Sequence, residues 1–396
     1  MRLCVPILVV AIGCTDPPQE RSPEEGQIPI IATTQEDLRI DGNAEDLVGI
    51  AGMAVAPDGS IVITQAQDHT VRFFSSSGEP LGTVGGDGDG PREFRQPFFL
   101  SWFGDSLSVY DPGLQRMTVL DATGSFGRTV RIASRGNPGH VDLGLPPLSA
   151  LQSLRMRGRN SLIAELHGLG IGGPYSGPDS IYYVETDFGG VVQRVLARLD
   201  SRREGVAVRD GAMSQSAEFP FQNVPRRHLA LDGSRFLVVE GVAVGDRAGD
   251  FQVTALDASG DTIFARTYSG PTIPLTEHFA DSVVDAWVTR LQDRSPALAS
   301  AFRREIQFPD VMPPVLSVLN GRDGTIWVRV RHAGEGRRYS VLVETGERLG
   351  DVLTPAGVAI RVADRDHAWG IATDEFGIQS VVRFKVQWPG FRGGGA

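Results

Sequence analysis

The sequence has little cysteine, almost no lysine, no run of basic residues and no recognisable catalytic motif. Two cysteines, Cys4 and Cys14, occur in 396 residues. The basic residues are nearly all arginine and are scattered, and the formal net charge is −10. Without a local basic patch, that balance argues against a nucleic-acid partner. Gly-x-Ser-x-Gly and His-Glu-x-x-His are both absent, as is the Gly-Lys-Ser/Thr of a phosphate-binding loop. What the chain does have is glycine (48), proline (25) and an apolar content of 41%. Those values describe a globular chain with many turns, long enough to bury a large core.

The amino terminus reads MRLCVPILVVAIGC. Its apolar run is shorter than the about 20 residues a spanning helix needs. Val10-Ala11-Ile12-Gly13-Cys14 resembles the lipobox of bacterial lipoproteins. The resemblance implies a signal peptide over 1–13, cleavage before Cys14 and acylation of its thiol. With Cys4 removed and Cys14 lipidated, no disulfide could form even in an oxidising compartment. Residues 14–34 are rich in proline and glutamate and read as a flexible tether. The expected location is the bacterial outer membrane or periplasm, reached through a lipid anchor.

From Gly49 to Gly85 the chain shows four short alternating runs, IAGMAVA, SIVI, TVRFF and LGTV. Period-two alternation broken by Asp58-Gly59 and Ser77-Gly78 reads as an antiparallel meander. The pattern recurs. SLSVYD, SLIAEL, RFLVVE, TIWVRV and HAWGIA each follow a polar turn and take the place of SIVI. The sixth repeat lacks a fourth strand, and EDLRID (36–41) lies unpartnered at the other end of the chain. An all-β, six-bladed β-propeller accounts for both facts, since closure removes the open sheet edge. The expected blades are 49–85, 97–132, 148–199, 224–268, 313–354, and 356–386 completed by 36–41, all within 35–388. Residues 389–396 are expected to be a disordered tail.

VGGDGDGPREFRQPFFLSW resembles the linker between NHL repeats, and APDGSIVI with QDHTVRFFSSSGE resembles the NHL blade. DHAWGIATDEFGIQSVVRFKV is similar to the last blade of bacterial six-bladed propellers of uncharacterised function. The resemblance implies a fold and says little about activity.

Links between strands one and two, and three and four, are short throughout. Extra length collects at 85–96, 133–147, 200–222, 241–250 and 269–312, all expected on the opposite face. That decorated face is the expected working face. Within 275–306 a helical hairpin is expected between blades four and five. Phe279, Val283, Trp287 and Leu291 make one apolar stripe that would dock on the ring. Thr276 and Ser295 are the expected N-caps, and Ala297, Ala301 and Phe302 would face inward.

Candidate ligand-face residues are Asp68, His69, Asp111, His167, Asp246, His332, Asp374 and Glu375, at the links between strands two and three. The alternative role for Asp68, His69 and Asp111 is to cap turns. Arg226, Arg227 and His228 precede an inner strand and could hold an anion in the channel, unless acids across the axis neutralise them. GGDGDGP (85–91) fails as an EF-hand, because the twelfth position from Asp87 is Phe98. His278 and Asp281 lack a third zinc ligand. No cofactor is expected. The function expected is binding of a protein, peptide or glycan on the long-loop face. The alternative is a metal-assisted hydrolase or lyase, using calcium or zinc, at the top of the axis.

Overall fold

The computed structural model describes residues 30–389, apart from 122, 137–144, 147–148, 159, 169–179, 202–203 and 211–212. The signal, the lipidation candidate Cys14 and most of the tether and tail lie outside the described residues. Strand β1 (Ile31–Ile40) comes first. A four-stranded meander follows in β2 (Ile50–Val55), β3 (Ile61–Gln65), β4 (Thr70–Phe74) and β5 (Pro80–Gly85). The second meander is β6 (Phe99–Phe103), β7 (Ser106–Asp111), β8 (Arg116–Asp121) and β9 (Phe126–Arg131). The third sheet has five strands, with a two-residue β10 (Arg135–Gly136) before β11 (Ser149–Met156), β12 (Ser161–Gly168), β13 (Ser180–Asp187) and β14 (Val192–Asp200). Next come a hairpin of β15 (Gly205–Asp210) and β16 (Met213–Glu218), and a meander of β17 (Arg226–Leu229), β18 (Arg235–Gly241), β19 (Phe251–Asp257) and β20 (Thr262–Tyr268). Helices α1 (Glu277–Gln292) and α2 (Pro296–Glu305) lead into β21 (Val315–Asn320), β22 (Ile326–Val330), β23 (Arg337–Leu342) and β24 (Arg348–Thr354). The chain ends in β25 (Val358–Ala363), β26 (His367–Thr373) and β27 (Gln379–Gln387).

The arrangement is all-β and propeller-like. Four blade sheets stand separately, and β21–β24, β1 and β25–β27 join into one eight-stranded sheet. Strand β1 makes that join. It pairs antiparallel with β27 from Thr33↔Gln387 to Ile40↔Val381, and its first residues bridge in parallel to β24 at Ile31↔Asp351 and Ala32↔Val352. Asp351 is fully buried at this seam, where the Arg348 guanidinium donates to it at 2.9 Å and Arg338 pairs with its other oxygen.

In the first meander burial peaks at the second strand and is lowest at the last. Strand β3 is buried throughout, whereas most of β5 is exposed. The first strands neighbour one another: β2 meets β6, β6 meets β11, β17 meets β21, β21 meets β25, and β25 meets β2. The apolar clusters fill the gaps between successive sheets. Phe73 and Val62 pack on Leu100 and Leu107, and Tyr183 packs on Phe236 at a ring separation of 4.2 Å. Ile40, Trp369 and Ile371 pack on Ile50, Met53 and Ile61, so the end of the chain meets its beginning. Burying alternate faces against the next sheet is the event that the period-two pattern encodes.

The tight turns follow local chemistry. The Asp58 carboxylate accepts from the Ser60 N–H at 2.9 Å, with Gly59 at φ +89°. Asp257 and Asp374 close equivalent turns.

The helices do not lie as the stripe suggests. Thr276 and Ser295 accept from the N–H groups of Phe279 and Leu298. Leu291, Leu298, Ala299, Ala301 and Phe302 then pack on Val206 and Ala217 of the β15–β16 hairpin. Their cluster contains no residue of a blade strand, so the insertion docks on a second insertion rather than on the ring. Phe279 is 43% exposed, and Ala297 faces solvent with Leu298 inward in its place. Residues 200–222 are accordingly no plain loop, because β15 and β16 supply the surface that covers α2. No helix among the described residues is long and apolar enough to cross a membrane.

Candidate functional site

A cavity of about 830 Å³ lies where the first strands of several meanders end. Val55, Trp102, Ala230, Asn320 and Val362 mark the carboxyl ends of β2, β6, β17, β21 and β25 or the residues just beyond them. The turns that follow, at Pro57, Gly104, Asp232 and Gly321, complete the wall. These are the short links. The cavity therefore opens on the plain face, opposite the one that loop length singled out. Strand β17 is only four residues long. The turn after it reaches β6, where the Leu231 carbonyl accepts from the Trp102 backbone N–H at 3.1 Å. Leu231 packs on the cluster between the first two meanders.

One wall is a fixed polar network. The backbone N–H of Asn320 donates to His228 Nδ1 at 3.0 Å, and the Asn320 amide donates to the His228 carbonyl at 2.9 Å. Arg235 is buried and donates to Asn320 Oδ1 at 2.7 Å and to the Gly324 carbonyl at 2.8 Å. An imidazole that accepts at Nδ1 carries its proton at Nε2. Burial, reinforced by the nearby Arg155 charge, pushes the His228 pKa down to about 4, so the ring is neutral at physiological pH.

The remaining charges around the cavity differ in how they are balanced. Asp232 and Glu344 are exposed on turns and sit in the field of Arg235. Arg322 donates to the Pro57 carbonyl at 3.2 Å, lies 3.9 Å from Asp364 and covers the ring of Trp369. Arg361 is exposed, lines the cavity and has no hydrogen bond or ion pair among the described residues.

A second polar group lies at the junction of the third and fourth meanders. Glu165 is buried and meets His167 at 3.1 Å, Arg227 at 3.4 Å and the Tyr183 hydroxyl at 3.4 Å. Burial pushes the Glu165 carboxyl up, but the His167 hydrogen bond and the Arg227 charge outweigh it and hold the group below its usual range. Burial pushes Arg155 beside it down to about 10. Ser153 enters this group from a bulge in β11 at φ +50°, a backbone conformation rare outside glycine.

The eleven candidate residues do not converge on one site, and only His167 and Arg227 meet, at Glu165. Asp111 is fully buried and accepts from the N–H groups of Arg95, Gln96 and Leu114, which makes it a turn anchor. Asp68 accepts from the Gln65 amide, and His69, at φ +58°, bonds the Arg95 carbonyl. His332 folds back on Gly334 and Gly336, Asp374 closes its own turn, and Glu375 is exposed beside it. Asp246 is exposed in a turn, and His278 and Asp281 are exposed on α1. Arg226, Arg227 and His228 separate: Arg226 donates to the Val315 carbonyl, Arg227 faces Glu165, and only His228 reaches the cavity. Asp87 and Asp89 of the glycine-rich link pair with Arg95 at 2.8 Å. Among the described residues, no three His, Cys, Asp or Glu side chains could hold a metal ion together.

Arg361, Arg235, Asn320, Trp102 and Glu165 escape a reading of the sequence. Glu165 sits inside an apolar strand, and a charge in an apolar run is the one signal that could have marked it, whereas Arg235 opens its strand beside a polar turn.

No family model matches the chain, and no curated protein does. Solved structures are similar to it over nearly the whole length. A candidate exported protein from Bacteroides fragilis covers 91% of this chain and 99% of its own, at 11% identity and a TM-score of 0.42. A member of a domain-of-unknown-function family from Bacteroides vulgatus covers 91% and 96%, at 8% identity and a TM-score of 0.44. Regucalcin, a calcium-binding protein from Agrobacterium tumefaciens, covers 91% and 97%, at 13% identity and a TM-score of 0.37. Each is a likeness of overall chain path alone.

Proposed function

We propose that the protein is an exported, lipid-tethered binding propeller that takes a small ligand into its axial cavity. Counting the two halves of the eight-stranded sheet separately, the ring has six blades, with β1 as the outer strand of the last. The lipobox-like Val10–Cys14 supports the tether, and Cys14→Ser should then release the protein from the membrane fraction. A variant that stays membrane-bound would refute the anchor. The long-loop face, with its α1–α2 and β15–β16 unit, remains available to a protein, peptide or glycan partner.

The observation that carries the binding reading is the cavity itself. A volume of about 830 Å³ falls within the range of small-molecule sites, and its wall mixes apolar side chains with a few placed donors. The test uses the neutral fluorophore phenylnaphthylamine. One dye should bind per chain, and Ser234→Trp, placed at an exposed lining residue, should abolish the fluorescence gain. Equal binding by parent and variant, or no binding at all, would remove the cavity as a ligand site.

A further inference from the structure

The cavity has a chemical bias that its volume does not reveal. Its lining acids are Asp232 and Glu344, both exposed on turns in the field of Arg235 without a direct ion pair to it. Arg322 lies beside Asp364. Arg235 also spends its donors on Asn320, Gly324 and Thr325. Several lining donors are uncommitted, the buried Trp102 indole N–H among them. The Arg361 guanidinium has no partner among the described residues, and neither has the Nε2–H of His228, whose Nδ1 is committed to the Asn320 N–H. Against these stand apolar side chains from four meanders, Val55, Trp102, Leu231 and Val362, with Ile263 49% exposed nearby. Unpaired donors, one of them a permanent cation, beside an apolar wall suit one class of ligand.

From this balance, and resting on the binding reading above, we infer that the cavity selects small amphipathic anions. Arg361 and His228 hold the carboxylate or a similar compact anionic head, and Trp102 with its apolar neighbours holds the body. The guanidinium fork suits a planar carboxylate, and the imidazole adds a neutral donor that does not depend on an acid elsewhere. An ammonium ligand would meet Arg361 as a like charge, so cationic amphiphiles are rejected.

The test compares two fluorophores of similar shape. Anilinonaphthalene sulfonate is anionic, and phenylnaphthylamine is neutral. The parent protein should bind the sulfonate about tenfold or more tighter than the neutral dye. Arg361→Gln should erase that preference by weakening sulfonate binding more than phenylnaphthylamine binding, whereas Arg361→Lys should retain part of it. Arg361 is exposed, so neither substitution threatens folding. If the parent binds both dyes equally, or Arg361→Gln binds the sulfonate as the parent does, the selectivity for anions is wrong and the binding reading stands. If neither dye binds, both fall.

Discussion

Removing the buried side chain at the end of β1 tests whether the ring is held shut by its amino-terminal strand. Ile40 is 3% exposed and lies among Leu47, Ile50, Met53, Trp369, Ile371 and Val381, where the last sheet meets the first. Ile40→Ala deletes three carbons. The transfer loss is roughly 2.4 kcal/mol at about 0.8 kcal/mol per buried methylene. The cavity left behind raises the expected total to about 3–4 kcal/mol. Ile31 is the matched control, because it has the same chemistry on the same strand but is 42% exposed. Ile31→Ala should cost less than about 1 kcal/mol. Guanidinium unfolding, followed by tryptophan fluorescence and by far-ultraviolet circular dichroism, gives the two losses side by side. Hydrogen exchange adds the location: amides of β27 opposite β1, from Val381 to Gln387, should lose protection in Ile40→Ala and keep it in Ile31→Ala. Equal losses in the two variants, or unchanged protection of β27, would show that β1 rests on the sheet without closing it.

The His228 environment predicts a pH dependence. Its folded pKa lies near 4, against an ordinary 6.5, because burial and the charges of Arg155 and Arg235 disfavour the imidazolium more than Glu165 favours it. The unfolded chain therefore binds the extra proton first. Stability from this group is complete above about pH 6.5 and falls as the pH drops toward 4, by up to about 3 kcal/mol. His228→Gln should flatten that part of the profile relative to the parent, and superimposable profiles would refute it. Phe302 is fully buried in the insertion and stacks on Trp287 at 5.7 Å. Phe302→Ala should cost the insertion about 3–5 kcal/mol and expose 205–218 and 277–305 to proteolysis while the main unfolding transition stays in place. A main transition shifted by the full amount would make the insertion part of the core.

Much of the architecture is written in local chemistry. An all-β propeller is legible in the sequence because alternation has a period of two residues and each hairpin carries its own turn signal. Asp58-Gly59 closes its turn with atoms two residues apart, and no distant residue needs to be known. Asp374 follows the same locality, accepting from N–H groups two and four residues on, whereas Asp111, for which the sequence offers a ligand or a turn role, also reaches back to Arg95 and Gln96 in the preceding link.

The site is different in kind. Val55, Trp102, His228, Asn320 and Arg361 come from five meanders spread along the chain, and they share a wall only because the first strands converge. Loop length pointed to the opposite face, since a long connection marks where chain was added and carries no information about where strand ends leave a space. The helical stripe had the same limit. Its period showed that one side would be covered, but the covering surface, Val206 and Ala217, belongs to a hairpin that forms only by long-range pairing. Charge balance was the least legible property of all. Arg227 is neutralised by Glu165 and Arg235 is committed to Asn320, while Arg361 is left unpaired among the described residues. Three arginines of identical chemistry are thus distinguished only by the neighbours that the tertiary structure gives them.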